Sequence, residues 1–237
     1  MPNTPTPQII AIGGAGFAAV PRNLELDRYI LEQTGRKRPS VAFVGTASGD
    51  ADLYLARFYA AYSELDCRPA HLPLFARTPD PEPFLLSRDV IYVGGGNTRS
   101  MLAVWREWGI PDLLRKAWES GIVLAGISAG AICWFRQGVT DSHAERLTAL
   151  EGLGFLPGSC CPHYDAEPDR RPSYHRLLEE GKIRPGFAID DGAALHFRGT
   201  AEPQAVAQRS AAGVYRVGAV NGQASEKRLP VRYLDGG

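Results

Sequence analysis

Short apolar runs that end in glycine alternate with longer amphipathic stretches over the first half of the chain. The runs are Gln8 to Ile12 before Gly13-Gly14, Ser40 to Val44 before Gly45, Val90 to Val93 before Gly94-Gly95-Gly96, and Ile122 to Ile127. They are apolar at consecutive positions, which is the pattern of parallel strands buried on both faces. Between them Leu24 to Gln33, Asp52 to Leu65, Arg99 to Trp105 and Pro111 to Ser120 carry helical spacing, the last with proline at an early helical position and Gly121 just beyond its end. This alternation predicts a three-layer α/β fold: an open, mostly parallel sheet flanked by helices, with right-handed crossovers.

After Gly181 the pattern shortens. Phe187 to Asp190, Ala193 to Phe197, Ala205 to Gln208 and Val214 to Val217, punctuated by Gly192, Gly199 and Gly213, predict C-terminal antiparallel strands that close the sheet or form a flap on it. The stretch from Thr140 to Arg184 reads as loop-rich apart from a helix over Pro172 to Glu180, and loops at the carboxyl ends of strands are where an open α/β protein binds its ligand. At 237 residues and 44% hydrophobic content the chain is expected to form a single domain over 1–237, with residues 1–7 expected to be flexible.

Composition narrows the partners. Lys plus Arg and Asp plus Glu are 26 each, so there is no net field to attract nucleic acid or an anionic membrane surface. No apolar run approaches the ~20 residues of a bilayer span, and the N-terminus lacks a signal peptide's basic and apolar regions, so a cytoplasmic location is expected. The four cysteines, Cys67, Cys133, Cys160 and Cys161, form no C-x-x-C pair, and reduced thiols without a metal or other cofactor are expected. A homodimer is kept as an expectation.

Gly126-Ile127-Ser128-Ala129-Gly130 lies between two apolar runs, where a strand turns into a helix; this is the layout of a nucleophile elbow. A serine hydroxyl needs a base. Of the five histidines, His71, His175 and His196 read as structural, His143 sits on a polar loop, and His163 stands in Pro162-His163-Tyr164-Asp165, where proline and tyrosine restrict the ring. The acid that orients the base is sought among Asp141, Glu145, Asp165 and the pair Asp190-Asp191; Asp141 is favoured, then Glu145, because both lie between the nucleophile and His163. One or both of the glycine loops Gly13 to Gly16 and Gly94 to Gly96 are expected to wall the Ser128 pocket, with an oxyanion hole made from a Gly95 or Gly96 amide and that of Ala129. Neither loop has the spacing of a nucleotide-binding motif.

Taken together, Tyr92-Val93-Gly94-Gly95-Gly96-Asn97-Thr98, Ile127-Ser128-Ala129-Gly130-Ala131, Pro162-His163 and Glu167-Pro168-Asp169-Arg170 resemble the peptidase E (aspartyl dipeptidase) and cyanophycinase family over roughly Ile9 to Phe197. The resemblance implies a class I glutamine amidotransferase-like fold with serine in place of the cysteine nucleophile. It implies attack by Ser128 on a peptide carbonyl with His163 as base, and cleavage of short peptides near a free amino end.

Two positions depart from the family pattern. Where peptidase E has an aspartate fifteen residues after its serine, this chain has His143, which leaves Asp141, or Glu145 near the cyanophycinase glutamate's position. The family's Gly-Glu-Thr-Arg stretch, which helps to bind an aspartyl residue, corresponds to Ala166 to Arg171. Glu167, Arg170 and Arg171, with Asn97, are therefore the expected substrate-binding residues. Asp-X preference stands beside a broader dipeptidase or aminopeptidase activity. Two rival readings are an α/β-hydrolase-type esterase and a catalytically silent amidotransferase-like binding module. The esterase predicts a base near the C-terminus, and no histidine follows His196.

Overall fold

The computed structural model describes residues 6–19, 22–143, 145–199 and 201–234. The expectation of flexibility at residues 1–7 falls mostly on residues outside this set. The first half runs β1 (Gln8–Ile12), α1 (Glu25–Glu32), β2 (Ser40–Val44), α2 (Asp52–Tyr62), β3 (Arg68–His71), α3 (Pro81–Leu86), β4 (Val90–Val93), α4 (Thr98–Glu107), α5 (Ile110–Glu119) and β5 (Val123–Ile127). There follow α6 (Ala129–Ile132), β6 (Phe135–Thr140), β7 (Thr148–Glu151), β8 (Leu156–Cys161), α7 (Arg170–Glu179) and β9 (Gly186–Ile189). The chain closes with β10 (Ala193–Arg198), β11 (Gln204–Ala207), β12 (Val214–Val220), β13 (Gln223–Arg228) and β14 (Val231–Tyr233).

An eight-stranded sheet has the order β14-β11-β10-β1-β5-β4-β2-β3, parallel from β1 through β3 and antiparallel where β10 meets β1 and β11. The continuous apolar runs explain it, because both faces are covered. Ile10, Val41, Phe43 and Tyr92 pack on one side against Leu26 and Ile30 of α1 and Phe58 of α2. Val44, Ile91 and Leu124 face Met101 and Trp105 of α4 and Leu114 of α5 on the other. The open, mostly parallel α/β sheet with antiparallel C-terminal strands is thus the architecture observed.

A second, six-stranded sheet, β13-β12-β9-β8-β6-β7, draws β7 and β8 from the region read as loops and β9 and β12 from runs expected to be strands. Its inner face, through Phe135, Leu156, Cys160 and Phe187, joins the core shared with β1 and β5, and Val139, Cys161 and Ala188 pack outward onto Tyr174 and Leu177 of α7. The helix expected after Ser128 is α6, a single turn, because the apolar run continues into strand β6. Among the described residues no helix is long and apolar enough to cross a membrane.

The register of the first sheet aligns three carboxyl ends: Ile12 of β1 pairs with Ile127 of β5, and Val93 of β4 pairs with Gly126. In the second sheet Cys161 of β8 lies opposite Ala188 of β9, with the two strands parallel. The chain crosses from the first sheet to the second after Ser128, and returns between β9 and β10 through Asp190 and Asp191.

Candidate active site

Ser128 stands between the end of β5 and the start of α6 with φ 57° and ψ −111°, a strained backbone that the surrounding contacts hold in place. Its N–H bonds to Ile12 O at 3.1 Å, and its carbonyl accepts from Ala131 and Ile132 at 2.9 and 3.0 Å. The flanking glycines are demanded by close approach. A Cβ on Gly126 would lie 2.2 Å from Gly130 O, and one on Gly130 would lie 2.3 Å from Val93 O.

His163 follows β8, also at positive φ (54°), on a loop tied to β9 by Tyr164 N–H on Ile189 O at 3.2 Å. Its Nε2 lies 2.9 Å from Ser128 Oγ and its Nδ1 lies 2.7 Å from Asp191 Oδ1. A carboxylate only accepts, so Nδ1 carries the proton toward Asp191 and Nε2 is left to accept from the serine hydroxyl. Asp191 is held from behind: Asp165 Oδ1 accepts its N–H at 2.8 Å, and Arg209 donates to its carbonyl at 2.9 Å while pairing with Asp165. Gly14 pairs with Asp191, and a Cβ on it would lie 1.8 Å from Asp191 Oδ1 and 2.5 Å from His163 Nδ1. The glycine loop after β1 is therefore bare where the His163–Asp191 hydrogen bond passes.

The acid beside His163 is thus Asp191; Asp141 and Glu145, the favoured candidates, are elsewhere. Asp141 follows β6 and faces Arg170 at 3.3 Å, and Glu145 lies exposed on the loop beyond. Neighbouring Asp190 points the other way, into the interior, accepting from Gly213 N at 2.8 Å; burial raises its pKa. The remaining histidines do not reach the serine. His71 bonds to Tyr59, His175 to Tyr164 and Glu226, and His196 to Tyr29 and Gln8, while His143 is exposed.

Of the amides expected to meet an oxyanion, Gly95 N–H is bonded to the Tyr54 hydroxyl at 3.2 Å, which leaves Gly96 of the loop pair. Ala129 opens α6, where a helix leaves its first N–H groups without carbonyl partners. Asn97 caps α4 through Ser100 N–H at 2.9 Å and reaches Ser142 O at 3.4 Å.

The expected substrate-binding charges are largely engaged within the protein. Arg170 is 2% exposed, bonded to Glu167 at 2.6 Å and to Val139 O at 3.0 Å, so it is a structural cation rather than a free one. Arg171 pairs with Glu226 at 3.1 Å and lies over the Tyr164 ring. Glu167 and Asp141 border a groove of about 500 Å³ with His143, Glu145, Arg146 and Asp169. The groove adjoins the His163 loop, since Glu167 N–H bonds to His163 O at 3.1 Å. Among the described residues no group of His, Cys, Asp and Glu is arranged to hold a metal ion, and all four cysteines are buried. Burial raises Cys67 to about 11 and Cys161 to about 12, leaving both as inert thiols at neutral pH.

The chain belongs to peptidase family S51, whose model matches residues 9–203. It is 55% identical over 228 residues to the uncharacterized peptidase YgaJ of Bacillus subtilis, covering 96% of this chain and 99% of that one. It is 29% identical over 162 residues to peptidase E of Streptomyces coelicolor, spanning 67% of this chain and 64% of the relative's length. In structure it is similar to a peptidase from an acI-B1 Actinobacterium, with TM-score 0.74, 19% identity and 96% of each chain covered. A putative peptidase E from Listeria monocytogenes shares the fold with TM-score 0.61, 20% identity and coverage of 95% and 100%. The protein is accordingly a peptidase of this family.

Proposed function

We propose that the protein is a serine exopeptidase that hydrolyses short peptides near their free amino end through an acyl-enzyme on Ser128. One observation carries the reading: the unbroken row Ser128 Oγ, His163 Nε2, His163 Nδ1, Asp191 Oδ1, with spacings of 2.9 and 2.7 Å. Ser128 Oγ attacks the scissile carbonyl as its proton passes to His163 Nε2, and Asp191 holds the ring's tautomer and stabilises the imidazolium. The developing oxyanion is received by the Gly96 and Ala129 amides at the positive end of α6. The C–N bond then breaks as His163 returns the proton to the leaving amine, and water, deprotonated by the same ring, hydrolyses the ester and frees the acid.

The acidic groove beside the His163 loop suits a substrate's ammonium group, which favours short peptides over folded chains. Since Arg170 and Arg171 each face protein carboxylates, a broad dipeptidase or aminopeptidase activity is preferred to strict Asp-X cleavage. The test is a panel of dipeptides and tripeptides with Ser128→Ala beside the wild-type chain, together with fluorophosphonate labelling. Expected are label on Ser128 and a loss of at least ~10³-fold in kcat/KM for the variant. Equal kinetics in both proteins, or a folded wild-type chain that takes no label, would overturn the proposal.

A further inference from the structure

In the glycine loop beside Ser128 the backbone amides are committed but for one. In the loop after β4, Gly94 N–H bonds to Val44 O at 3.0 Å, Gly95 N–H to the Tyr54 hydroxyl at 3.2 Å and Asn97 N–H to Ala47 O at 2.7 Å. The Gly96 N–H has no acceptor among the described residues. The loop is pinned on both sides of its one uncommitted donor, and a single side chain supplies one of those pins.

That side chain is built in with care. Tyr54 comes from the first turn of α2, and its ring lies directly against Gly94: a Cβ there would be 2.9 Å from Tyr54 Cε1 and 2.9 Å from Phe43 Cζ. The ring stacks on Phe17 at 5.3 Å and 20° and meets Phe43 edge-on at 5.4 Å and 87°, so it is wedged between aromatics from the β1 and β2 sides of the sheet. Burial raises its pKa, which keeps the oxygen a neutral hydroxyl that accepts from Gly95. On the other side of the loop Gly95 packs on the nucleophile, since a Cβ on it would lie 3.2 Å from Ser128 Cβ and 3.7 Å from Ser128 Oγ. Packing alone requires only the ring; the hydroxyl does something further.

We propose that Tyr54 is a positioning residue for hydrolysis: by holding the Gly95 N–H it fixes the backbone of the Gly94–Gly96 loop, and with it the direction of the Gly96 N–H that receives the oxyanion. The inference rests on the reading of Ser128 as nucleophile. It differs from packing in what it predicts, because phenylalanine keeps every ring contact and removes only the acceptor. An oxyanion-hole donor contributes ~10²–10³-fold to kcat, and a donor left in place but no longer held in direction retains part of that.

The experiment compares the wild-type chain with Tyr54→Phe in three measurements: kcat and KM on the best peptide of the panel, the rate of fluorophosphonate inactivation, and Tm. The expected result is a fall of ~10- to 100-fold in kcat and in inactivation rate, with KM within ~2-fold and Tm lower by no more than the ~2–4 °C that one lost hydrogen bond costs a chain of this length. Wild-type rates in Tyr54→Phe would overturn the proposal, and so would faster rates, which would mean that the hydroxyl blocks Gly95 rather than orients its neighbour. A fall in kcat accompanied by a Tm loss of more than ~5 °C would also overturn it, in favour of a structural role. Failure of the parent reading is distinguishable, because then the wild-type chain itself neither cleaves the panel nor takes the label.

Discussion

Asp190 and Asp191 are consecutive, yet one faces the interior and the other faces His163. This follows from the extended geometry at the end of β9, where successive side chains point to opposite sides. The contrast yields a prediction. Asp191→Asn, which can no longer hold Nδ1–H as an anion does, is expected to lower kcat by ~10²–10⁴-fold with the fold intact. Asp141→Asn, at the Arg170 ion pair, is expected to leave kcat within ~3-fold; steady-state kinetics on one peptide checks both. Gly14→Ala is expected to behave like Asp191→Asn, because its methyl group would occupy the line between the carboxylate and the ring. At these positions the sequence was half legible. Ser128 and His163 stood out because a tight turn and a proline-restricted ring leave local signatures. Nothing local sets Asp191 above Asp141, which is nearer to Ser128 in the chain; the parallel register of β8 and β9 is what sets residue 191 beside residue 163. Tyr54 gave no signal at all, since an aromatic in a helix reads as core.

Helices α1 and α2 meet through a buried Asp27, whose Oδ1 accepts from Tyr62 at 3.0 Å while Oδ2 has no partner among the described residues. Burial raises its pKa from 3.8 to about 7. Between those values the folded chain keeps a proton that the unfolded chain has released, so this group's stabilisation is complete below pH 3.8 and is lost as pH rises through 7. His196 in β10 works in the opposite sense: burial lowers it from 6.5 to about 3, so in that window the unfolded chain takes up the proton and stability falls on acidification. Each effect is on the order of a few kcal/mol at ~1.4 per pH unit, and the two oppose each other over much of pH 4 to 6.5. Urea unfolding at pH 5 and pH 8 should therefore show little change in the wild-type chain, where the two groups largely cancel, and a gain in stability toward pH 8 in Asp27→Asn, which keeps only the His196 effect. Toward pH 4, His196→Gln should resist acid better than the wild-type chain. Among the elements, the parallel strands were readable because two covered faces require unbroken apolar runs. Of the second sheet, β9 and β12 were readable as short apolar runs, but β7 and β8 were not: Pro157, Gly158, Ser159 and the cysteines of β8 are small or turn-forming, and their strand is imposed by pairing with β6 and β9.

Because the chain passes from one sheet to the other immediately after Ser128 and returns through Asp191, Ser128 and His163, the proposed nucleophile and its proton acceptor, stand at the ends of strands of different sheets. Catalytic competence is then a gauge of how the two sheets are seated on one another. In a titration with dilute denaturant, peptide cleavage and fluorophosphonate uptake are expected to fade before far-ultraviolet circular dichroism changes, since a slip of ~1 Å is enough to misalign a proton transfer that strand pairing would hardly register. Anything that grips both halves, whether a bound peptide or an engineered crosslink over the seam, should bring the two curves back together.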